Sequence, residues 1–416
     1  MVTIGCTPED KKIEHSPKAQ EILSQQTITS DGPGTILKDF NQFLAFIDFN
    51  GTKVSGKYDL LPIKTLPIIN SQLSNPPDIR LKRPRQVSYP HINGLYLLAR
   101  GTGVTMIDRN KLCLNEPVFE RWQALNPTEQ YFTLFEAWLY HCPIDIIGLP
   151  ENRTLSGFVS QALSWFFQNI QKQGFRFVDI QDQIRYTLKW HNLALTELFG
   201  LVLIKPARPV DGEGWQIKHI YSSPFGQALH EVVVKYYTHN HYKLLRMFLS
   251  DDPTGIPIGC LQSTIQPYFS DWQTLLTLPQ PEFQPGTYTF KVSLGRAWRR
   301  VQLLAQMDLD ALSDIILSVF DFDNNHLYYF TYNDHVGRQR AVNHPDFDEG
   351  PWTDEIEIGN LSLKLGQTMT FMYDMGSSWR FKIRLEAIEP PIDLIVPILL
   401  DSYGQAPERY PEYSEW

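Results

Sequence analysis

The 416-residue sequence contains no uninterrupted run of about 18 apolar residues. Its most apolar stretches, such as "LFGLVLI" at 198–204, are far too short for a transmembrane helix, so no membrane partner is expected. The beginning, "MVTIGCTPEDKKIEHSPK", lacks the apolar core of a secretory signal, and a cytoplasmic location is expected. Cysteine is scarce. Cys6, Cys113, Cys142 and Cys260 stand far apart with no C-x-x-C pair, which argues against a disulfide framework and against structural zinc. There is no P-loop, dinucleotide fingerprint or nucleophile elbow, which disfavours ATPase, dehydrogenase and α/β-hydrolase functions. Positive charge is also short. A net charge of −9 does not suit a protein that coats nucleic acid, because phosphate neutralisation needs a basic surface, although a local basic patch remains compatible with it.

What is present is a folded composition: 43% hydrophobic, 13% aromatic and 20% charged residues. The length suggests two or three domains of roughly 100–200 residues. Residues 1–35 are polar and rich in turn formers ("TITSDGPG", 27–34), and are read as a flexible arm. In "ILKDFNQFLAFIDF" (36–49), Leu37, Phe40, Phe43, Leu44 and Ile47 recur three or four apart, the period of an amphipathic helix. Residues 36–275 are expected to form a mainly helical region. Proline-dense "LTLPQPEFQPG" (276–286) reads as a linker, and 287–416 as a C-terminal domain.

Within the helical region, one pattern occurs twice. Residues 91–140 read as a helix, a hairpin turning at 108–110 and an apolar helix; residues 188–237 repeat that order around the polar loop "ARPVDGEG". Helix, hairpin, helix is the order of a winged-helix module, which reads DNA through a helix in the major groove. The first unit carries few cations, among them Arg100, Arg109 and Lys111. The second offers Lys189, Lys205, Arg208 and Lys218, and a separate cluster, Arg80, Lys82, Arg83 and Arg85, precedes the first unit. Closely spaced Arg and Lys suit phosphate contacts; the same residues also suit a solvated connection. The aromatic run Trp165–Phe166–Phe167 reads as core. His239 and His241 lack a third ligand and read as surface histidines.

After residue 286 the period changes. "TYTFKVSL" (287–294) alternates like a half-buried strand, Asp308 is placed to cap a helix through Leu309, Leu312, Ile315, Ile316 and Val319, and "NNHLYYFTYN" returns as a strand. In "FMYDMGSSWRFKIRLE" (371–386), two alternating runs flank a polar break. The fold class is therefore α+β: a helical N-terminal region with winged-helix-like units, and a C-terminal, mostly antiparallel sheet with helix cover.

The segments "YTFKVSLGRAWRRVQL", "LDALSDIILSVFDFDNNHLYYF", "YDMGSSWRFKIRLE" and "YGQAPERYPEY" together resemble the plasmid pRiA4b ORF-3-like family. Residues 36–240 are similar to N-terminal extensions on longer bacterial members. The resemblance implies a small α+β domain common on plasmids and mobile elements, and no particular reaction. Many members carry Pro-Pro-Glu-Asp followed by paired glycines; here "APERYPEY" keeps Pro407 and Glu408 without them.

Candidate chemistry in this domain rests on His326, Asp374 and Glu408, which could hold a divalent metal or act as general base and partner in a hydrolase or nuclease, with Arg299 and Arg300 as anion binders. Asp374 also suits a turn, since a short carboxylate accepts main-chain N–H groups two residues on. The acidic loop 343–357 misses the calcium-loop spacing. No metal or cofactor is assigned. The leading expectation is a non-catalytic accessory protein binding nucleic acid or protein; a metal-dependent hydrolase and a purely structural adaptor are the alternatives.

Overall fold

Ser16 starts the first helix among the described residues by accepting the Ala19 N–H at 3.2 Å, while its own N–H and hydroxyl donate to the Glu231 carboxylate, each at 2.7 Å. The computed structural model describes residues 14–47, 51–56, 58–108, 110–142, 147, 159–170, 174–240, 258–279, 282–334, 339–348 and 350–407. They fall into two units, 1–244 with 256–278, and 245–255 with 279–416. Residues 14–35 are not the flexible arm expected. Helix α1 (Pro17–Gln25) buries Ala19 and Leu23, and Thr35 N–H donates to Leu198 O at 2.8 Å. Polar composition concealed these few apolar anchors, and the partner Glu231 lies 215 residues away.

The first unit continues with α2 (Ile36–Ile47), β1 (Thr52–Lys53), α3 (Leu66–Gln72), α4 (Pro90–Gly101), β2 (Thr105–Asp108), β3 (Lys111–Leu114), α5 (Glu116–Ala124) and α6 (Pro127–Glu136). Helix α2 buries the five residues whose spacing announced it. After α7 (Val159–Asn169) the order of the first half recurs: β4 (Phe175–Arg176), α8 (Phe177–Gln183), α9 (Trp190–Leu198), β5 (Val202–Pro206), β6 (Ile217–Ser222) and α10 (Pro224–His239). The two small sheets have matching orders, β1-β3-β2 and β4-β6-β5, so in each an earlier short strand pairs with the hairpin's second strand.

Helices α4 and α9 pack against each other. Every residue of α4 is buried, as are seven residues of α9. Gly94 permits the approach, since a Cβ there would come 2.8 Å from Leu195 Cγ. The segment 258–278, containing the single turn α11 (Gln262–Ile265), is clamped to α6 by two glutamates. Glu136 accepts the N–H groups of Gly259 (2.5 Å) and Leu261 (2.6 Å); Glu129 accepts those of Gln273 (3.1 Å) and Thr274 (2.6 Å). Trp272 stacks on Phe132 with ring centres 4.7 Å apart. The stretch 276–286, expected as a linker, is held at both ends. Leu276 is buried and Thr277 O accepts from Arg121 at 2.9 Å, while Gln284 N–H donates to Gly359 O at 3.0 Å.

The second unit is α+β. Its strands are β7 (Thr287–Leu294), β8 (Ala297–Leu304), β9 (Tyr328–Asn333), β10 (Gln339–Asn343), β11 (Thr368–Tyr373), β12 (Trp379–Glu389) and β13 (Ile398–Tyr403), with helix α12 (Leu309–Val319) after β8. They form one seven-stranded antiparallel sheet, β10-β9-β11-β12-β7-β8-β13. Asp308 caps α12 by accepting the Ala311 N–H at 2.8 Å, and Leu309, Leu312 and Ile316 turn into the core. On β12, Phe381, Ile383 and Leu385 are buried while Arg380, Lys382 and Arg384 are exposed, the two-residue period of a strand with one covered face. Each such buried side chain contributes about 1.5–3 kcal/mol of transfer free energy.

Candidate functional site

Asp374 leaves β11 with φ +55°, a left-handed conformation that short polar side chains tolerate. Its Oδ1 accepts the N–H groups of Gly376 (3.0 Å) and Ser377 (3.3 Å), its carbonyl accepts Ser378 N–H (2.6 Å), and its own N–H donates to Leu327 O (3.1 Å). His326 is the residue before that carbonyl, so the two candidates lie on adjoining segments. The imidazole stands edge-on to Tyr373 at 5.8 Å, and the Tyr373 hydroxyl donates to Asp323 O at 2.6 Å. Glu408 lies outside the described residues. Among the described residues, no group of three or more His, Cys, Asp or Glu is arranged to hold a metal ion.

The two arginines expected to bind anions are engaged within the domain. Arg299 donates through Nε to Val319 O (2.9 Å), at the C-terminal end of α12, and through Nη1 to the carbonyls of Tyr403 and Gly404 (both 3.1 Å). Its guanidinium also lies 4.8 Å over the Phe320 ring. A cation there offsets the negative end of the helix dipole. Arg300 bridges Glu386 (2.7 Å) and Asp401 (3.2 Å).

In the first unit, the basic segment and the second hairpin loop are joined. Arg80 N–H donates to Glu213 O, and Gly212 N–H to Arg80 O, both at 3.0 Å. The Arg80 guanidinium forks between Asp78 (3.2 Å) and Asp211 (3.1 Å). Lys82, Arg83, Arg85 and Arg208 are exposed, as are Asp78, Asp211 and Glu213 on the same two segments or next to them in sequence. Lys205 on β5 and Lys218 on β6 are exposed, the Lys205 ammonium 5.2 Å over the Tyr221 ring. Lys189 is half-buried at the start of α9.

Beside that loop lies a groove of about 710 Å³, walled by β5 and by residues 74–78. Glu197 and Trp215 line it. Glu197 Oε2 is 2.9 Å from His91 Nε2, and the His91 ring stands edge-on to Trp215 at 4.8 Å. Elsewhere in the first unit, the buried carboxyl of Glu136 is pushed up to about 7 by burial, against the opposing pull of the Leu261 and Gly259 N–H groups and Cys260. Burial likewise pushes the Cys260 thiol up, so it is not an activated nucleophile.

Residues 287–410 match the family described as Plasmid pRiA4b ORF-3-like protein. The resemblance read from the strand and turn motifs is thus borne out over the C-terminal domain. A crystal structure of a protein of unknown function from Methanosarcina mazei Go1 is 24% identical, over 28% of this chain and 70% of that one, with a TM-score of 0.26. No curated protein matches the chain.

In the pRiA4b ORF-3-like domain, Asp374, Arg299 and Arg300 make the turn, cap and bridge contacts above. Sequence reasoning missed the pair His91 and Glu197, because they are 106 residues apart and neither stands in a motif. The only local signal was the proline pair Pro76–Pro77, which forms part of the opposite wall.

Proposed function

We propose that the protein is a non-catalytic cytoplasmic accessory of a plasmid- or mobile-element-associated family, and that its N-terminal unit binds a protein partner. The reading is carried by the burial of α4 and α9. In winged-helix order, each helix precedes the hairpin and holds the place of the DNA-reading helix. Here both are packed on each other and enclosed, so neither can enter a major groove. The stretches that follow these helices carry exposed side chains, among them Lys111, Leu203, Lys205 and Lys218, surfaces suited to contacts with another chain.

Nucleic acid is the second reading, supported by exposed Lys82, Arg83 and Arg85 on a segment braced by the hairpin loop. The accompanying carboxylates weaken it, because they repel phosphate. A hydrolase centred on His326 and Asp374 draws less support, since the Asp374 carboxylate is committed to two main-chain donors. Fluorescence anisotropy with labelled duplex and single-stranded DNA, over a salt series, separates the first two readings. The protein-binding reading expects at most weak binding that vanishes by moderate salt and falls further in the triple variant K82A/R83A/R85A. Tight, sequence-dependent binding at moderate salt would overturn it.

A further inference from the structure

We infer that the groove beside β5 receives an extended segment of the partner protein, paired to the strand edge and presenting a lysine or arginine to Glu197. The inference rests on the protein-binding reading above and names the chemistry of the partner. Strand β5 is the outer strand of the sheet β4-β6-β5. Ser223 N–H donates to Leu201 O at 3.0 Å, and antiparallel ladders alternate bonded and open pairs. The bonded positions towards β6 are therefore Leu203 with Tyr221 and Lys205 with His219, so Val202 and Ile204 turn their N–H and C=O groups away from β6. Both residues line the groove, where an added strand would meet those main-chain groups.

The ends and walls limit what fits. Pro206 has no N–H to offer, so pairing stops after Ile204, and Pro76–Pro77 opposite cannot complete the sheet from the other side. Only a short extended segment meets these conditions. Charge selects its side chain: the lining contains two carboxylates, Glu197 and Asp78, and no lysine or arginine. Asp78 is already bridged by Arg80. Glu197 spends Oε2 on His91, and its side chain is 18% exposed, open enough to meet a cation and sheltered enough to limit screening. Trp215, though mostly buried, also lines the groove and adds apolar surface for the aliphatic stem of such a side chain.

The test uses the full chain and a fluorescein-labelled heptapeptide, Thr-Val-Thr-Lys-Thr-Val-Thr, with a control that carries Glu in place of the central Lys. Anisotropy is expected to show the Lys peptide binding at least about tenfold more tightly than the Glu peptide. Glu197→Gln should remove that preference. Because Glu197 contacts buried His91, a second variant, Leu203→Lys, places a repelling charge at a groove position that is 63% exposed and not needed for the core. It should weaken the Lys peptide by a similar factor while circular dichroism stays unchanged. Equal binding of the two peptides, unchanged binding in both variants, or no binding by the wild type would overturn the inference. Crosslinked capture of a partner tells the two levels apart. A partner held equally by wild type and the Leu203→Lys variant sinks the groove alone; absence of any captured partner, with no peptide bound, sinks the protein-binding reading as well.

Discussion

Glu136 is a fully buried carboxylate whose two oxygens receive main-chain N–H groups from a segment more than 120 residues further on. Desolvation disfavours its charge more strongly than those donors favour it, which is why its pKa rises from 4.5 to about 7. The folded state therefore holds this proton more tightly than the unfolded chain does. The resulting stabilisation is complete below about pH 4.5, declines as pH rises, and is gone above about 7. Relative to a Glu136→Gln variant, the wild type should lose roughly 2–4 kcal/mol across that interval. Urea unfolding of both proteins at a series of pH values measures it, and a wild-type–variant difference that does not change with pH would contradict the assignment. Neighbouring Glu129 was legible in part: an apolar helix was expected at the end of 91–140, and the capping box of Asn126 with Glu129 is local. Its further bonds to Gln273 and Thr274 join residues 144 and 145 positions apart, and no local pattern announces them.

At the level of elements, the β11–β12 hairpin shows why strands and turns could be read directly. Residue alternation decides which face is covered, and the turn needs only a side chain that accepts nearby N–H groups while φ is positive. Asp374 meets both conditions within four residues. Asp374→Ala loses both acceptors and places a Cβ-bearing apolar residue at φ +55°, a cost of about 1–3 kcal/mol. Asp374→Asn keeps an oxygen acceptor and tolerates that conformation, so it should cost less than the alanine change. Hydrogen exchange of peptides covering 368–389 reads the effect, and faster exchange by about tenfold or more is expected for the alanine variant only. Equal acceleration in both variants would show that the charge, rather than the turn geometry, holds this corner. Helices α4 and α9 teach the opposite lesson. Their presence was expected at the start of 91–140 and of 188–237, whereas their mutual burial depends on Gly94 meeting Leu195 across a hundred residues.

For the whole molecule, the chain divides at about residue 279, and the second unit holds its own core. The buried cluster running from Tyr288 to Leu385, with Phe290, Val301, Ile316 and Phe371 among its fully enclosed members, draws only on residues of that unit. A fragment comprising 279–416 should therefore unfold cooperatively in urea with near-ultraviolet dichroism from fixed aromatic rings. A fragment with secondary structure but no such dichroism would mean that its core is not self-sufficient.

What the sequence determined by itself is whatever short-range chemistry controls: the α+β class, the strand alternation and cap of the C-terminal domain, its family, the turn at Asp374 and the two helix–hairpin–helix stretches. Only the tertiary structure decided that residues 14–35 are fastened, that the basic segment is braced by a hairpin loop bearing carboxylates, that α4 and α9 bury each other, and that Glu197 and Trp215 share a groove with His91 behind them. The physical reason is range. Periodicity and capping act over a few residues, while the exposure of a face and the composition of a groove are set by contacts such as Ser16 with Glu231, whose partners only folding brings together.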